Sequence, residues 1–306
     1  MEKWIQEGKV NFGKDETSVP TIKSYLCNHE YEVPYSVFYK DGRAASKRLA
    51  SLMGEKVFEN PKDEEIIQKI IEFCGTSSND IIMDFFSGSG TTAHALFLAN
   101  IHQKSKRKFI LVQLPEEIDP KKSTSERGKK VSKSALNLLT DLGLSANICS
   151  IGEERIRRAG KKIKEETGAD IDYGFRCFKV DSSNMKEVYY RPVDVGQMTL
   201  DQFTDNIKED RTPEDLLFQV MLGLGVLLSS KIEEQEIAGK RVFSVADGYL
   251  LACFDAEVTE NVVTQIAKQH PFYAVFRDSS MADDSVAANF EQIFATYSPE
   301  TVRKVL

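Results

Sequence analysis

The sequence has few of the residues that build metal and disulfide sites. Five cysteines are scattered along 306 residues without a Cys-x-x-Cys pair, and the four histidines show no ligand spacing. An odd number of scattered cysteines is typical of reduced thiols in a cytoplasm and argues against a cysteine-built metal centre. We therefore expect no metal site.

Long apolar segments are also missing. The longest apolar run, Leu216 to Leu228, is interrupted by Gln219, Gly223 and Gly225, and it is shorter than the roughly 20 residues that span a bilayer. The mostly polar stretch Met1–Val10 predicts no signal peptide. Because 41% of the residues are apolar and 28% are charged, we expect a soluble globular protein of the cytoplasm without membrane attachment.

Negative charge is concentrated in the rear part of the chain. Residues 181–306 contain 11 Lys/Arg and 21 Asp/Glu, a net −10, so the total of −7 leaves +3 on residues 1–180. Six basic residues and one acidic residue, Glu126, lie within Lys121–Lys133. Contact with DNA phosphates is one interpretation of this segment, and a solvated, mobile loop is the favoured one.

The front half carries the pattern of a β-α-β unit, with a strand, a glycine turn, a helix and a second strand within about 30 residues. Apolar runs without alternation predict strands that are covered on both faces. The expected elements are a helix starting at Asn60–Pro61 and ending at Gly75, a strand Ile81–Phe86, a helix Thr91–His102 and a strand Phe109–Leu114.

A second α/β region occupies the rest of the chain. Thr212-Pro213-Glu214-Asp215 predicts the capped start of a buried helix, and Asp247–Gly248 predicts a hairpin turn. Further expected elements are strands at Phe175–Val180, Tyr249–Phe254 and Phe272–Phe276, a helix over Val262 and Ile266, and a last helix starting at Ser298-Pro299-Glu300. The predicted fold class is α/β, with domains at 57–170 and 171–306.

The most informative motif is the glycine loop, Asp84–Thr92, with the sequence DFFSGSGTT. Glycines between a strand and a helix let a ligand approach the backbone, and the helix amides attract an anionic group. No lysine follows Gly90 as a phosphate-binding P-loop requires, and Ser87 replaces the first glycine of a nucleophile elbow. A dinucleotide fingerprint fits better, although Gln113 ends the second strand where that motif has an acidic residue. A turn that only connects strand and helix is the remaining alternative.

The stretch DFFSGSGTTAHAL resembles the S-adenosylmethionine (AdoMet) motif of amino-group DNA methyltransferases. VFENPK at 57–62 resembles the family's other cofactor segment. RKFILVQLPE, ERIRRAGKKI and GFRCFKVDSSN are similar to stretches of the modification (Mod) subunits of type III restriction–modification systems. The resemblance implies a Rossmann-like, class I methyltransferase fold of the β class, of which this chain carries the C-terminal half. Residues 1–56 would then be the remnant of the catalytic and target-recognition region.

The resemblance also implies roles for individual residues. Asp84 and the amides around Gly88–Gly90 would hold the methionine end of AdoMet, and Gln113 would take the place of an acidic residue at the ribose hydroxyls. The complete set of expected cofactor residues is Phe58, Pro61, Lys62, Asp84, Phe85, Phe86, Ser87, Gly88, Ser89, Gly90, Thr91, Thr92 and Gln113.

The family's catalytic tetrapeptide, Asp/Asn/Ser-Pro-Pro-Tyr/Phe, is absent. No Pro-Pro pair occurs in the sequence, and Val33-Pro34-Tyr35 lacks the polar residue. We therefore assign no catalytic residue and expect this chain alone to be inactive. A base must be flipped out of the duplex for this chemistry, so double-stranded DNA is the expected substrate of the complete protein.

Three functions stay open on the sequence alone. The first is the AdoMet-binding half of an adenine-N6 DNA methyltransferase, with a restriction (Res) subunit as partner and a homodimer as the expected assembly. The second is a non-catalytic module for dimerisation or for docking the restriction subunit. The third is an NAD-dependent dehydrogenase.

Overall fold

The structure is a computed structural model that describes residues 1–25, 33–186 and 206–306. The chain divides into two compact units, Met1–Arg176 and Cys177–Leu306. The expected α/β class is confirmed at the level of a mixed α/β chain, because helices alternate with strands in both units.

The first unit places a parallel β-α-β motif among helices. Its two central strands pair in register, with Ile81 opposite Lys108 and Asp84 opposite Leu111. The elements in chain order are α1 (Glu2–Gln6), β1 (Val10–Asn11), β2 (Thr21–Ile22), α2 (Gly42–Met53), α3 (Glu64–Phe73), β3 (Ile81–Asp84), α4 (Thr91–Gln103), β4 (Lys108–Leu111), a 3-10 turn (Pro120–Lys122), α5 (Glu126–Asp141) and α6 (Ile148–Thr167).

Helix α3 begins later than its sequence predicts. The expected cap Asn60 with Pro61 as first helical residue is wrong, because the Asp63 carboxylate accepts hydrogen bonds from the amides of Glu65 and Ile66 and starts the helix at Glu64. Acidic residues in the first turn, Glu64 and Glu65, also favour this start through the helix dipole.

The two strands of the first unit are shorter and more exposed than expected. The strand predicted at Ile81–Phe86 ends at Asp84, and the one predicted at Phe109–Leu114 is Lys108–Leu111. Burial on both faces is also wrong for these strands. Ile82 and Phe109 pack on α4, whereas Ile81 is 57% exposed and Met83 is 53% exposed on the other face. Among the described residues, no layer covers that second face.

The basic segment is largely helical. Residues 126–133, expected within a mobile loop, form the first two turns of α5. The hydroxyl of Ser125 caps the helix by accepting the amide of Gly128 at 2.9 Å, and Val131, Ala135 and Leu139 bury its apolar face. The lysines therefore project from a fixed helix.

The second unit contains a five-stranded mixed sheet in the order β5-β6-β7-β8-β9. The pairs β5–β6 and β6–β7 are antiparallel, and the pairs β7–β8 and β8–β9 are parallel. The elements are α7 (Pro213–Leu224), β5 (Ile232–Ile237), β6 (Lys240–Val245), β7 (Leu250–Cys253), α8 (Glu260–Ala267), β8 (Tyr273–Phe276), a 3-10 turn (Asp278–Ser280), α9 (Asp284–Tyr297) and β9 (Val302–Val305).

Two local predictions for this unit are confirmed. Thr212 and Asp215 form a reciprocal capping box at the start of α7, and the Asp247–Gly248 turn joins the antiparallel strands β6 and β7. Apolar side chains fill the space on both faces of the sheet. One cluster packs α8 and α9 against it, and another packs α7 against it.

Two other predictions are wrong. The last helix does not start at Ser298, because the Thr301 hydroxyl bonds to the carbonyl of Pro271 at 2.6 Å and directs the chain into β9 beside β8. No strand forms at Phe175–Val180. Phe178 instead stacks edge-on against Phe218 at 4.8 Å, and Val180 is fully exposed, at 100%.

In the part of the chain that the structure describes, no helix combines the length and the apolar character that a membrane span requires.

Candidate functional site

The glycine loop leaves the carboxyl end of β3 through a turn held by Asp84. One carboxylate oxygen of Asp84 accepts the amide of Phe86 at 3.0 Å, and the other accepts the hydroxyl of Thr92 at 2.5 Å. The amide of Gly90 donates to the carbonyl of Ser87 at 2.8 Å. Asp84 therefore links the strand end to the first turn of α4 and fixes the path of the loop.

The residues that directly follow strand β4 support the loop from the side. The Gln113 side-chain oxygen accepts the amide of Gly88 at 2.8 Å, and the carbonyl of Val112 accepts the amide of Ser87 at 3.2 Å. Gly88 has φ of 51°, a left-handed conformation that favours glycine. Gln113, expected at the ribose hydroxyls, is thus engaged with the loop backbone in this structure.

A buried arginine lies behind the loop. Arg155 of α6 is 1% exposed. Its guanidinium donates to the Ser89 hydroxyl at 2.9 Å and to the Thr91 hydroxyl at 2.6 Å. Ser89, Thr91 and Thr92 are themselves buried. These hydroxyls hold the second half of the loop in the core, whereas residues 85–88 are exposed or half-buried.

The charge of Arg155 is balanced by a chain of ion pairs. Glu64 at the start of α3 lies 3.4 Å from Arg155 and 2.5 Å from Arg48 of α2, and Arg48 lies 2.7 Å from Asp63. Burial lowers the pKa of Arg155 to about 10, with a smaller opposing effect of the Glu64 charge. The guanidinium is therefore still charged at neutral pH. This network ties the starts of α3 and α4 to α6.

Close backbone packing explains the glycine at position 90. Gly90 has φ of 72°, and a Cβ there would lie 2.9 Å from the carbonyl oxygen of Gly152 on α6. A Cβ on Gly152 would in turn lie 3.2 Å from the carbonyl oxygen of Gly88. Gly90 is therefore required by the fold itself, and a substitution there would disturb α6 as well as any ligand.

The second expected cofactor segment lies next to the loop. A Cβ on Gly88 would lie 3.6 Å from the tip of the Phe58 ring, so this ring borders the loop. Pro61 is buried and Lys62 is exposed. The structure thus brings Phe58 to the loop, whereas among the described residues no hydrogen bond or ion pair joins Lys62 to it.

Two aromatic side chains project at the open end of β3. Phe85 is 61% exposed and Phe86 is 86% exposed, and their rings meet edge-on at 6.4 Å. These neighbouring exposed rings offer an apolar surface to a ligand, and the N-terminus of α4, which follows them in the chain, has no side-chain cap. The arrangement suits a molecule with an aromatic or aliphatic body and a charged end.

Sequence reasoning missed Arg155, Glu64 and Gly152 as parts of this site. A usable signal for Arg155 was its position on the buried stripe of α6, three residues after Gly152 and four before Ala159. A charged residue on an apolar stripe needs a buried partner, and that partner is Glu64.

Among the described residues, no group of three or more His, Cys, Asp or Glu side chains has an arrangement that could hold a metal ion. Val33-Pro34-Tyr35 is exposed and belongs to no helix or strand. Cys27 and His29 lie outside the described residues.

A family model described as DNA methylase matches residues 6–120. The matched region contains β3, the glycine loop, α4, β4 and the segment at 57–62. The chain is therefore related to the DNA methylases.

Comparison with individual proteins shows which DNA methylases the chain is similar to. The chain is 30% identical over 280 residues to the type III restriction–modification enzyme EcoP15I Mod subunit of Escherichia coli, covering 89% of this chain and 38% of that protein. It is 29% identical over 182 residues to the StyLTI Mod subunit of Salmonella typhimurium, covering 58% and 25%. It is also 31% identical over 134 residues to the type II methyltransferase M.KpnI of Klebsiella pneumoniae, covering 41% and 32%.

These matches confirm the resemblance to the Mod subunits of type III systems. The chain spans less than two-fifths of the length of each of these three relatives.

Proposed function

We propose that this chain is the AdoMet-binding part of an adenine-N6 DNA methyltransferase of a type III restriction–modification system, with a Rossmann-like class I fold. The observation that carries the proposal is the glycine loop at the carboxyl end of a parallel strand pair, within the region related to DNA methylases. The carboxyl ends of parallel strands are where α/β folds bind nucleotide-like ligands.

The residues present fit AdoMet. The N-terminus of α4 has no side-chain cap, so its first amides are the donors that we assign to the methionine carboxylate. Phe58 borders the loop at Gly88. The exposed rings of Phe85 and Phe86 lie at the same end of β3. The Asp84 carboxylate, Gln113 and Arg155 act by shaping the loop, since each is bonded to loop atoms.

The chemistry assigned to the complete protein is attack of the adenine amino nitrogen on the methyl group that AdoMet supplies. This chain's contribution is to bind and orient the donor, which lowers the entropic cost of the transfer. The chain holds no Pro-Pro pair, and we propose that the residues that bind the adenine amino group come from another polypeptide segment. We propose that the isolated chain binds AdoMet and transfers no methyl group.

The similarity to type III Mod subunits also supports proposals about partners, assembly, location and domains. We propose double-stranded DNA and a restriction subunit as partners of the complete protein, a homodimer as its assembly and the cytoplasm as its location. The proposed domains are residues 57–170 for the cofactor and 171–306 for a second α/β domain, with residues 1–56 left from the catalytic and target-recognition region.

Titration calorimetry with AdoMet tests the proposal. A matched pair of variants, Gly88→Ala and Gly248→Ala, adds one methyl group at a glycine of positive φ with no clash within 3.4 Å. We expect AdoMet to bind the unmodified chain, and Gly88→Ala to weaken binding about tenfold, which is about 1.4 kcal/mol. Gly248→Ala should leave binding unchanged.

The same assay separates the alternatives. NADH binding at the expense of AdoMet would indicate a dehydrogenase. A folded chain that binds neither ligand would contradict the cofactor assignment and favour the docking module. The exposed apolar face of β3 and β4, with Ile81, Met83 and Ile110, is the observation that favours this second candidate.

A further inference from the structure

A basic groove lies in the first unit, between the loop at Lys56 and the first turns of α5. Its volume is about 390 Å³. The side chains that line it are Lys56, Glu126, Arg127, Lys130, Val131 and Ser134.

The positive charge of this groove is not neutralised by the protein. Its acidic residue, Glu126, is already paired with Lys129, at 2.7 Å. Within residues 1–25, 33–186 and 206–306, the cations Lys56, Arg127 and Lys130 form no ion pair with an Asp or Glu. Three cations that converge on one concave surface without internal partners create a positive potential, which attracts an anionic ligand.

The helix geometry adds to this potential. Arg127 and Lys130 are one turn apart near the start of α5, so both project from the same side of the helix. The positive end of the α5 dipole lies at the same place, after the Ser125 cap. The Ser134 hydroxyl supplies an uncharged donor.

The lining indicates which part of a nucleic acid the groove accepts. It contains no aromatic ring, and recognition of unpaired bases depends on aromatic stacking. Lys and Arg at a wet, concave surface are instead the usual partners of backbone phosphates. The groove therefore fits phosphodiester groups of a duplex.

The groove also adjoins the proposed cofactor site. Val57, next to Lys56, is buried in a cluster with Ala135 and Leu139 of α5. A Cβ on Gly128 would lie 2.9 Å from the Glu59 carboxylate, and Phe58 borders Gly88 of the glycine loop. Segment 56–59 thus connects the groove to the loop.

We propose that Lys56, Arg127 and Lys130 bind backbone phosphates of the DNA substrate, without reading its sequence. The inference rests on the proposed methyltransferase function and assigns a substrate-binding surface to it. The bond is ionic and each contact releases counterions, so its signature is a dependence of affinity on salt concentration.

The test is the affinity of the full chain for a labelled DNA duplex, measured by fluorescence anisotropy over a series of salt concentrations. The groove variant is Arg127→Gln with Lys130→Gln. The matched control is Lys161→Gln with Lys164→Gln, which removes two charges from exposed positions of α6. We expect the groove variant to bind about tenfold more weakly at low salt. Its slope of log affinity against log salt should fall by about 2, at roughly 0.9 per lost phosphate contact.

Several results would overturn the inference. It fails if the groove variant binds the duplex like the control, or if the unmodified chain does not bind the duplex. It also fails if inorganic phosphate displaces the duplex far more than sodium chloride at equal ionic strength, because the groove would then be a small-anion site.

AdoMet titration of the same preparations keeps the two proposals separate. Loss of DNA binding in the groove variant with unchanged AdoMet affinity supports both. If the groove variant loses DNA affinity and the unmodified chain binds no AdoMet, the result supports the phosphate-binding groove and contradicts the cofactor site.

Discussion

The two units each contain a parallel β-α-β motif, and they differ in the connection between the first strand and the helix. In both motifs six residues separate strand and helix, since β3 ends at Asp84 before Thr91 and β7 ends at Cys253 before Glu260. After β3 these residues include two glycines, buried polar atoms and exposed aromatic rings. After β7 they contain no glycine, and Phe254 and Val258 are buried in the core. The connection after β7 closes a core, whereas the connection after β3 leaves Ser87 and Gly88 half-buried beside two exposed aromatic rings.

The strands that precede these connections also differ in burial. All four residues of β7 are buried, while exposure alternates along β3. Buried charge also distinguishes the two units. The charged residues that are buried within the described parts of the chain are Glu64, Arg107 and Arg155, all in the first unit. Polar interiors are stable only when their groups are paired, so the first unit should depend on specific contacts more than the second.

The largest expected effect is a loss of stability on truncating a side chain of the second unit's sheet, compared with one of the first unit's sheet. Phe276→Ala in β8 removes a ring that is 0% exposed, and such a loss costs about 3–5 kcal/mol. Met83→Ala on the exposed face of β3 should cost less than about 0.5 kcal/mol. Urea unfolding of the full chain measures both. A loss of several kcal/mol for Met83→Ala would mean that this face is covered, and the two sheets would then not differ in burial.

The next effect concerns the buried arginine. Arg155→Met leaves Glu64 with Arg48 alone and removes the donors to Ser89 and Thr91. Removing one partner of a buried pair is expected to cost about 3 kcal/mol. Arg158→Met on the same helix is the control. Arg158 is half-buried and bonds to the carbonyl of Met53 and to Glu154, so its loss should cost about 1 kcal/mol.

AdoMet affinity distinguishes a role of Arg155 in positioning the glycine loop from a role in stability alone. Arg155→Lys, which keeps a charge and can reach one hydroxyl, should recover part of the affinity that Arg155→Met loses. Arg158→Met should bind AdoMet as the unmodified chain does. Equal AdoMet affinity in all three variants would show that Arg155 has no role in shaping the loop.

Glycine substitutions compare the two turns directly. Gly90→Ala and Gly248→Ala both place a side chain at positive φ, which costs about 1–2 kcal/mol. Gly90→Ala should cost about 1 kcal/mol more, because its Cβ lies 2.9 Å from the Gly152 carbonyl while that of Gly248 meets nothing within 4 Å. Thermal unfolding checks the difference, and equal costs would contradict the close packing of the loop on α6.

The smallest effect is a pH dependence from His94 of α4. Burial lowers the pKa of His94 to about 4 from 6.5, assisted by the charge of Arg155, with smaller effects of Glu64, Lys162 and Arg48. The unfolded chain binds a proton below pH 6.5 and the folded chain does not. The contribution of His94 to the free energy of unfolding is therefore complete above about pH 6.5, and it is lost as the pH decreases toward about 4.

The expected loss between pH 7 and pH 5 is about 1–2 kcal/mol, at 1.4 kcal/mol per unit. His94→Leu should remove this part of the dependence, as measured by urea unfolding at several pH values. An unchanged pH profile in His94→Leu would contradict the burial of a neutral histidine.

Local signals in the sequence predicted much of the fold. The capping box at Thr212, the turn at Asp247–Gly248 and the parallel β-α-β connectivity depend on residues close in sequence, so short patterns suffice. The start of α3 was wrong because two capping residues compete within four positions, and Asp63 carries a charge that Asn60 lacks.

Features that depend on distant contacts were not accessible. The exposure of Ile81 and Met83 depends on whether other elements cover one face of the sheet or both. An apolar strand pattern does not distinguish these two cases. The strand at Val302 depends on pairing with β8, and the anchor of the glycine loop depends on Arg155, 66 residues after Ser89. The loop itself could be located from its motif, whereas the groups that hold it could not.

The most direct test of the central claim is a map of amide chemical shifts on titration with AdoMet. We predict saturable shifts at the amides of Gly88, Ser89, Gly90 and Thr91, and none at Gly239 or Gly248 in the turns of the second unit. Absence of binding, or binding that shifts the second unit and leaves the glycine loop unchanged, would contradict the assignment of AdoMet to this loop.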